Sequence, residues 1–367
     1  MIKRSIFIDC HIFDGGFQGT RTYIQGLYLE MIKNKEINFY FAACDTDNLQ
    51  SIFGTGSNIT YLKYNSHNKF YRLLIDIPRL IKKHKIEFAH FQYIVPPIKN
   101  CKYIVSTHDV LFLDYPEYFP KKFVEKNKIL FGWSAKKSEI VVTGSQYSKS
   151  KIEEHFKINN VFVTVYGIES VFFKPYNKQE VEKTVFQNYG FQDYLIYTSR
   201  HEPRKNHFRL LQAFIDLKLY QKFQLVMIGD VSINDPKFDV LYQSLSPEIK
   251  SKISLLNKVN FSDLLLLIRG AKLSIYPSIA EGFGLPPLET AAAKIPTLCS
   301  NTTSMGEFTF FGNDFINPLD LEDIKSKIMQ KVENYDADYQ SNLSNLIQEK
   351  YCWKSVAKEY FKIIDKF

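Results

Sequence analysis

The sequence predicts an α/β protein with two Rossmann-like, doubly wound domains that face each other across a crevice. Short apolar runs alternate with longer amphipathic stretches along almost the whole chain, which is typical of parallel strands joined by helices. At 367 residues the chain is longer than one domain with a single hydrophobic core usually is, so its length suits two domains. The polar segment 166–189 interrupts the alternation and is the predicted linker. In such domains, ligands bind at the carboxyl ends of the strands.

The first predicted domain spans residues 1–170. Its apolar runs predict six strands, and its amphipathic stretches predict four helices. The predicted strands are 6–9, 39–42, 88–91, 103–107, 140–143 and 161–165. The predicted helices are 20–33, 71–83, 122–135 and 148–156.

The second predicted domain spans residues 190–350 and repeats this alternation. A last helix, within 351–367, is expected to pack back on the first domain. The predicted strands are 195–198, 225–228, 253–256, 273–276 and 297–300. The predicted helices are 206–219, 262–269, 286–293, 321–332, 339–350 and 353–364.

Composition and charge indicate which binding partners and which cellular compartment to expect. The formal net charge is +8, and basic residues concentrate at 63–85 and 121–137. They form either a solvated basic surface or a site of attraction to an anionic surface. With no nucleic-acid module in the sequence, an anionic membrane is the better partner of the two, and no apolar stretch is long enough to span it. The five cysteines are scattered and odd in number, which predicts a reduced, cytoplasmic compartment and no zinc site.

The most informative segment runs from Glu281 to Glu289. It follows the predicted strand 273–276 and leads into the predicted helix at 286, so Glu289 is expected in the first helical turn. A glycine loop before a helix N-terminus directs backbone N–H groups and a positive dipole end at an anion such as phosphate. A carboxylate there could accept hydrogen bonds from a ribose diol. Alternatively, Glu289 is an ordinary helix-start charge and Gly284 a turn residue.

Two further segments follow predicted strands. Arg200 and Lys205 come after strand 195–198, where two cations can neutralise a diphosphate, unless the loop is merely basic. His108 and Asp109 end strand 103–107 and would face the crevice, although a lone histidine is more often structural.

The glycine loop with Gly16 and Gly19 lies between the first strand and the first helix, and it does not fit a dinucleotide-binding pattern.

Together these segments resemble the retaining glycosyltransferases of the GT-B fold, family 4. The resemblance covers nearly the whole chain. It rests on two glutamates separated by seven residues, on an arginine separated by four residues from Lys-Asn, on the His-Asp pair and on the first glycine loop. Ser199 stands where the family usually has glycine. Within the family, the chain looks most like bacterial enzymes of surface-polysaccharide synthesis, many of them mannosyltransferases.

The resemblance implies a role for each matched position. The Arg and Lys would bind the donor diphosphate, the second glutamate the ribose, and the first glutamate with the backbone after it the donor sugar. The His-Asp pair would line the sugar pocket, and the glycine loop would approach phosphate and acceptor. The implied catalytic residues are His108, Arg200, Lys205 and Glu281; the implied binding residues are Gly16, Gly19, Asp109, Phe283, Gly284, Leu285 and Glu289.

The predicted activity is retaining, metal-independent hexosyl transfer, with mannose as first choice. The donor would be a GDP- or UDP-linked sugar, no other cofactor is expected, and the saccharide acceptor would be lipid-linked. The enzyme would be cytoplasmic, peripheral on the inner face of an anionic membrane, and would bind no nucleic acid.

Asp45-Thr-Asp47 matches a D-x-D metal motif by chance and is expected in a solvated loop. The alternatives are a GT-B nucleotide-sugar epimerase, a phosphorylase, for which no pyridoxal lysine is identified, or a non-catalytic sugar-nucleotide-binding protein.

Overall fold

The computed structural model describes residues 4–15, 19–257 and 259–367. The chain divides into two compact units. The first unit consists of Met1–Gly167 and Trp353–Phe367, and the second of Ile168–Cys352.

A parallel sheet forms the centre of the first unit. In the described residues its seven strands lie in the order β3-β2-β1-β4-β5-β6-β7, so the direction of winding changes between β1 and β4. Residue Ile6 of β1 pairs with Phe39 on one side and Phe88 on the other. The strands are β1 (Arg4–Asp9), β2 (Ile37–Ala43), β3 (Ile59–Lys63), β4 (Phe88–Gln92), β5 (Lys102–Ser106), β6 (Ile140–Thr143) and β7 (Val161–Val163).

Helices join these strands. The predicted helix 71–83 is interrupted, because a wider π-type turn at Arg72–Asp76 separates two regular pieces. The helices are α1 (Gly19–Met31), α2 (Thr46–Phe53), α3 (Lys69–Tyr71), α4 (Ile77–Lys83), α5 (Leu111–Asp114), α6 (Lys121–Lys137) and α7 (Gln146–Phe156).

The second unit contains a parallel sheet of six strands, in the order β10-β9-β8-β11-β12-β13 within the described residues. Its winding changes direction between β8 and β11, which pair directly. The strands are β8 (Tyr194–Thr198), β9 (Gln224–Ile228), β10 (Ile253–Leu256), β11 (Leu273–Tyr276), β12 (Thr297–Ser300) and β13 (Phe315–Ile316).

The predicted linker is not a linker throughout. Its second half forms a helix that is capped by the Asn177 side chain, ends at Gly190 in the left-handed region and packs on the helix Phe261–Gly270. The second unit therefore begins near residue 168 and not near 190. The helices of this unit are α8 (Lys178–Tyr189), α9 (His207–Asp216), α10 (Pro236–Ser244), α11 (Pro247–Lys250), α12 (Phe261–Gly270), α13 (Leu285–Ala292), α14 (Leu321–Glu333) and α15 (Ala337–Lys350).

The last helix, α16 (Trp353–Ile364), belongs to the first unit and packs against α1. Trp353 lies so close to Gly26 that a β-carbon added there would come within 2.1 Å of its indole ring. A side chain at Gly26 would therefore push α16 away.

Short 3₁₀ turns complete the elements: His11–Phe13, Pro116–Tyr118, Ser170–Phe173, Pro203–Lys205, Leu219–Gln221, Thr303–Glu307 and Thr309–Asp314. Each unit has its own buried apolar core, with Phe7 and Phe91 in the first and Leu195 and Ile275 in the second. Among the described residues, no helix combines the length and the apolar character needed to span a bilayer.

Candidate active site

The second unit brings two loops together where its winding reverses. One loop follows β8 and the other follows β11, and these strands are neighbours. In doubly wound sheets, ligands bind outside the carboxyl ends of the strands at such a point. The predicted residues Arg200, Lys205 and Glu281 all lie on these two loops.

Lys205 and Glu281 are in direct contact. The Lys205 ammonium donates a hydrogen bond to Glu281 Oε1, and both side chains are largely buried. The loop after β11 is held by its own bonds, because the backbone N–H of Glu281 donates to Thr303 Oγ1 at 3.0 Å and the Ser304 hydroxyl donates to Glu281 O at 2.7 Å. The carboxylate is therefore fixed opposite the lysine.

Arg204 completes the cluster, and the sequence analysis missed it. Its guanidinium donates to both carboxylate oxygens of Glu202, at 3.2 and 3.0 Å, to Glu281 Oε2 at 3.2 Å and to Ala280 O at 2.7 Å. Bidentate pairing of this kind fixes geometry. Arg204 thus joins the two loops and orients Glu281 toward Lys205. Arg200, Arg204 and Lys205 lie close together in the sequence, and the sequence alone does not show which of them is buried.

Arg200 is placed differently. Its side chain is 66% exposed, with Nε 3.8 Å from Glu202 Oε1, whereas the Arg204 side chain is 9% exposed. An exposed guanidinium at the strand end can contact an anionic ligand, while the buried one is already engaged. Arg200 is therefore the arginine available to an anionic ligand, and Arg204 is held by the two loops.

The electrostatics favour a fixed carboxylate in this cluster. Burial would raise the pKa of Glu281, but Lys205 and Arg204 outweigh it and lower this pKa to about 2. The pKa of Lys205 is lowered, since burial outweighs the attraction of Glu281. Glu281 is thus an anion at neutral pH, and a second anion near Lys205 would favour its ammonium form.

The helix N-terminus beside this cluster carries fewer donors than predicted. Helix α13 begins at Leu285, with Gly284 at the N-cap in the left-handed region, φ 101°. A β-carbon at Gly284 would come within 2.6 Å of Met305, so only glycine fits. The next residues, Pro286 and Pro287, have no N–H. Of these four residues, only Gly284 and Leu285 can donate backbone hydrogen bonds to a ligand.

Phe283 lies beside the N-cap and is buried by aromatic neighbours. Its ring packs edge-on against Phe308 at 5.6 Å and Tyr351 at 6.0 Å between centroids. Its side chain therefore anchors the loop. The predicted contact of the residue 283–285 backbone with a sugar is compatible with this arrangement and stays a prediction.

Glu289 does not lie in the first turn of α13, as the sequence predicted, because the first turn contains no acidic residue. It is the fifth helical residue and is half-buried. Burial and then repulsion from Glu169 raise the pKa of Glu289 to about 7. Among the described residues, none donates a hydrogen bond to its side chain. Glu289 is a carboxylate whose acceptor capacity is still available.

A small cavity of about 40 Å³ lies at the carboxyl ends of β8, β9 and β10, and Ser199, His201 and Gly229 line it. Gly229 follows β9 with φ 151°, and a β-carbon there would come within 2.1 Å of Ser199 O. Glycine therefore lets the loops after β8 and β9 approach closely. The sequence analysis missed this residue, although a glycine directly after an apolar strand is a recognisable signal.

In the first unit, His108 follows β5 and is buried. Its Nε2 is 3.0 Å from Gln92 Oε1 and its Nδ1 is 2.5 Å from the Tyr166 hydroxyl. Burial lowers the pKa of His108 to about 4, so the ring is neutral. Nε2–H then donates to the amide oxygen, and Nδ1 accepts from Tyr166. Both nitrogens are engaged, so the predicted sugar contact would use the ring edge or the backbone, or would displace a partner.

The remaining predicted residues of the first unit are Asp109, Gly19 and Gly16. Asp109 Oδ1 accepts a hydrogen bond of 3.1 Å from the backbone N–H of Leu111. Gly19 is the first residue of α1, with open space where a β-carbon would stand. Gly16 lies outside the described residues.

The D-x-D sequence has a structural role. The Asp45 side chain caps α2 by accepting a hydrogen bond from the Asn48 backbone N–H at 3.0 Å. Asp45 and Asp47 therefore lie at the start of a helix and not in a loop as expected.

Within the described residues, Asp14, Cys44 and His67 place metal-ligand atoms within 4.8 Å of one another. Both Asp14 oxygens already accept backbone N–H groups. The expectation that no metal is needed stays a prediction.

Comparison with known proteins supports the predicted resemblance. Residues 178–345 match the family described as glycosyl transferases group 1. The chain is 26% identical over 335 residues to O-antigen chain mannosyltransferase B of Escherichia coli, covering 83% of this chain and 86% of that one. It is 25% identical over 275 residues to O-antigen chain mannosyltransferase RfbU of Salmonella typhimurium, covering 72% of each.

The fold comparison extends over the whole chain. Sucrose-phosphate synthase from Thermosynechococcus elongatus superposes with a TM-score of 0.75 at 14% identity, over 99% of both chains. At this identity the match establishes the fold alone. This match confirms the predicted fold class, GT-B. The predicted resemblance to glycosyltransferases is supported by the family match and by the two O-antigen chain mannosyltransferases.

Proposed function

We propose that this chain, whose residues 178–345 match the group 1 glycosyl transferases, transfers a hexosyl group from a nucleoside-diphosphate sugar to a saccharide acceptor in surface-polysaccharide synthesis. Two relatives that match most of its length are described as O-antigen chain mannosyltransferases. Mannose is therefore the first choice for the sugar.

The observation that carries the proposal is the buried contact of Lys205 with Glu281 at the β8/β11 switch point. Departure of the glycosyl group leaves negative charge on the diphosphate. Lys205, the exposed Arg200 and the N–H groups of Gly284 and Leu285 can stabilise that charge. Donors that are already in place when charge develops lower the barrier, because no reorganisation is needed.

Glu281 is proposed to act on the donor sugar while it holds Lys205 in position. As a buried anion it can accept hydrogen bonds from sugar hydroxyls and favours positive charge near the anomeric carbon. Glu289 is proposed to bind the ribose diol, because its side chain offers acceptor capacity in a half-buried position.

For the stereochemical course, we propose retention by attack of the acceptor hydroxyl on the face that the diphosphate leaves. His108 of the first unit is proposed to contact the sugar. Neither a metal nor a further cofactor is assigned to this reaction; charge stabilisation rests on the cations and N–H groups named above.

The acceptor is proposed to be a lipid-linked saccharide, and the enzyme to be cytoplasmic and peripheral on the inner face of an anionic membrane. The basic stretches at 63–85 and 121–137 belong to the first unit, the proposed acceptor-binding part. Lys82, Lys83 and Lys85 are exposed there. Each such cation near an anionic surface contributes about 1 kcal/mol. No nucleic-acid partner is proposed.

The test is a panel of GDP-, UDP- and dTDP-sugars, incubated first without acceptor and then with a lipid-diphosphate saccharide. We expect slow hydrolysis of one donor, GDP-mannose first, and fast transfer with acceptor and retained anomeric configuration by NMR. Lys205→Ala serves as the matched inactive control. A changed sugar released without acceptor would instead identify an epimerase. Tight binding of a donor in calorimetry with no turnover would identify a non-catalytic binding protein.

A further inference from the structure

Four large apolar side chains are exposed on the helical segment around α3 and α4 of the first unit. Phe70 is 72% exposed, Tyr71 42%, Leu74 45% and Ile75 48%. Their spacing, two adjacent residues and then two more one turn later, puts them on one helix face. We call these four residues the apolar stripe. Contiguous exposed apolar surface of this kind marks an interaction site more often than chance exposure does.

The segment that carries the apolar stripe is firmly held. Its opposite face is buried through Leu73, Asp76 and Ile77. The Asp76 carboxylate accepts hydrogen bonds from Asn65, through the backbone N–H at 2.8 Å and the side-chain amide at 2.6 Å. The four residues, together with Ser66 and Asn68, line an open surface depression of about 490 Å³. The exposed side chains therefore sit on a fixed ridge.

Cations surround the apolar stripe. Lys69 precedes it, and Arg79, Lys82 and Lys83 are exposed at the carboxyl end of the same helical segment. Burial and then the nearby charge of Lys126 in α6 lower the pKa of Lys69.

Helix α6 repeats the same combination of side chains. Ile129 is 71% exposed and Trp133 39%, one turn apart. The Lys137 ammonium lies 4.8 Å from the centre of the Trp133 ring. Exposed aliphatic and aromatic side chains interleaved with lysines are typical of surfaces that lie in the interfacial layer of a bilayer.

We infer that the first unit docks on an anionic lipid bilayer by inserting the apolar stripe into the interfacial layer, while the lysines around it contact lipid headgroups. The inference rests on the proposed function for its biological setting, because a lipid-linked acceptor has to be met at the membrane. A second copy of this chain fits the surface less well. It would bring its own lysines against these lysines, and the chain carries a formal charge of +8.

Insertion and headgroup contact differ in their salt dependence. At about 1 M salt the Debye length falls to roughly 3 Å, so attraction between exposed charges is largely screened. Burial of apolar surface persists. Purely electrostatic attachment, as proposed above from the lysines alone, disappears at high salt, whereas attachment through the apolar stripe leaves a salt-resistant part.

The experiment measures sedimentation of the full chain with vesicles of phosphatidylcholine and phosphatidylglycerol at low and high salt. Three variants are compared with the wild type: Phe70→Ser/Leu74→Ser/Ile75→Ser in the stripe, Lys82→Gln/Lys83→Gln in the charges, and the control Phe186→Ser/Val240→Ser. The control residues are exposed apolar side chains of the second unit. Surface changes of this kind leave the fold intact.

We expect the stripe variant to lose salt-resistant binding by roughly tenfold or more. The lysine variant should lose low-salt binding by roughly 10- to 30-fold and keep the salt-resistant part. The control variant should bind like the wild type. Equal binding of stripe variant and wild type at high salt, or no binding of the wild type to anionic vesicles, overturns the inference.

Tryptophan fluorescence provides a second readout. The chain has two tryptophans; Trp133 is exposed and Trp353 is buried against Gly26 and Gly167. A blue shift and quenching by brominated lipid on vesicle binding should come from Trp133 and disappear in Trp133→Phe. Dimerisation of the lipid-free protein that the stripe variant abolishes would show that the surface binds a second copy and would overturn the lipid assignment.

Failure of this inference and failure of the proposed function give different results. Donor hydrolysis without vesicles tests the proposed chemistry and does not involve the apolar stripe, so the stripe variant should hydrolyse at the wild-type rate. Vesicle binding without hydrolysis of any donor would leave the docking surface intact and refute the enzymatic proposal.

Discussion

Glu289→Gln should make the protein more stable and a poorer binder of its donor. The pKa of Glu289 rises from 4.5 to about 7 on folding, because burial and Glu169 disfavour its charge. A group with a raised folded pKa binds more protons in the native state than in the unfolded state. Stability is therefore lost as pH rises from about 4.5 to about 7. Glutamine has the same shape and no charge, so it removes that loss.

The magnitude follows from the pKa shift. A rise from 4.5 to about 7 corresponds to roughly 3 kcal/mol at about 1.36 kcal/mol per unit. This value is an upper limit, since the side chain keeps some solvent contact. We expect Glu289→Gln to raise the free energy of unfolding at pH 8 by about 1–3 kcal/mol. At pH 5 the variant and the wild type should be nearly equal.

Donor binding should change in the opposite direction. A ribose diol donates its hydrogen bonds to the ionised carboxylate, so loss of the charged acceptor costs about 1.5–3 kcal/mol of affinity at pH 8. Because donor binding requires the ionised form, wild-type affinity should fall roughly tenfold between about pH 8 and pH 6. The Glu289→Gln affinity should be independent of pH in that range.

Two assays measure these effects. Urea unfolding at pH 5 and pH 8 gives the stability difference, and calorimetric titration with GDP-mannose at pH 6, 7 and 8 gives the affinity. A nucleotide sugar is the right probe, because its diphosphate is a diester that does not titrate in this range. Equal stability of the two proteins at pH 8 would show that the carboxylate is not destabilised by burial. Equal donor affinity would remove Glu289 from the binding site.

The remaining predictions concern the cation cluster and metals. Lys205→Ala should lower kcat by roughly 100-fold or more in single-turnover assays with little change in KM; an unchanged kcat removes Lys205 from the site. Arg200→Ala should weaken donor binding and leave the urea midpoint unchanged, whereas Arg204→Ala should cost about 3–5 kcal/mol of stability, because buried carboxylates lose their partner. If Arg200→Ala lowered stability and Arg204→Ala weakened donor binding, Arg204 would be the ligand-binding arginine and Arg200 the structural one. Turnover should survive EDTA; loss on chelation with recovery on manganese would contradict the predicted metal independence.

The central strands were predictable, because strands of a buried parallel sheet are continuous apolar runs. Strands β6, β11 and β12, which are buried throughout, begin and end at the predicted residues, and so does the edge strand β10. The strand at 59–63 was missed because it alternates with polar residues and is half-exposed. Helix α8 was missed because Val185 is its one fully buried residue among those described, so it lacks an apolar face.

The candidate site was predictable as a set of segments, since each follows a predicted strand and ligands bind at strand ends. The sequence did not reveal which residue of a segment is buried as a support and which is exposed to a ligand. Burial separates Arg204 from Arg200, and it depends on Glu202 and on the loop after β11. The partners of His108 likewise come from Gln92 and Tyr166, which lie far away in the sequence.

The two glutamates of the matched motif show how environment assigns different roles to the same residue type. Glu281 has a pKa of about 2, because two cations hold its charge, while Glu289 has a pKa of about 7, because burial and another carboxylate oppose its charge. Glu281 neutralises Lys205 in the absence of donor. In the proposed reaction, the donor diphosphate would compete with Glu281 for the same ammonium, and hydroxyls of the donor sugar would donate hydrogen bonds to the Glu281 carboxylate. Lys205 and Glu281 therefore act as a pair, and their single substitutions should not add in a double-mutant cycle.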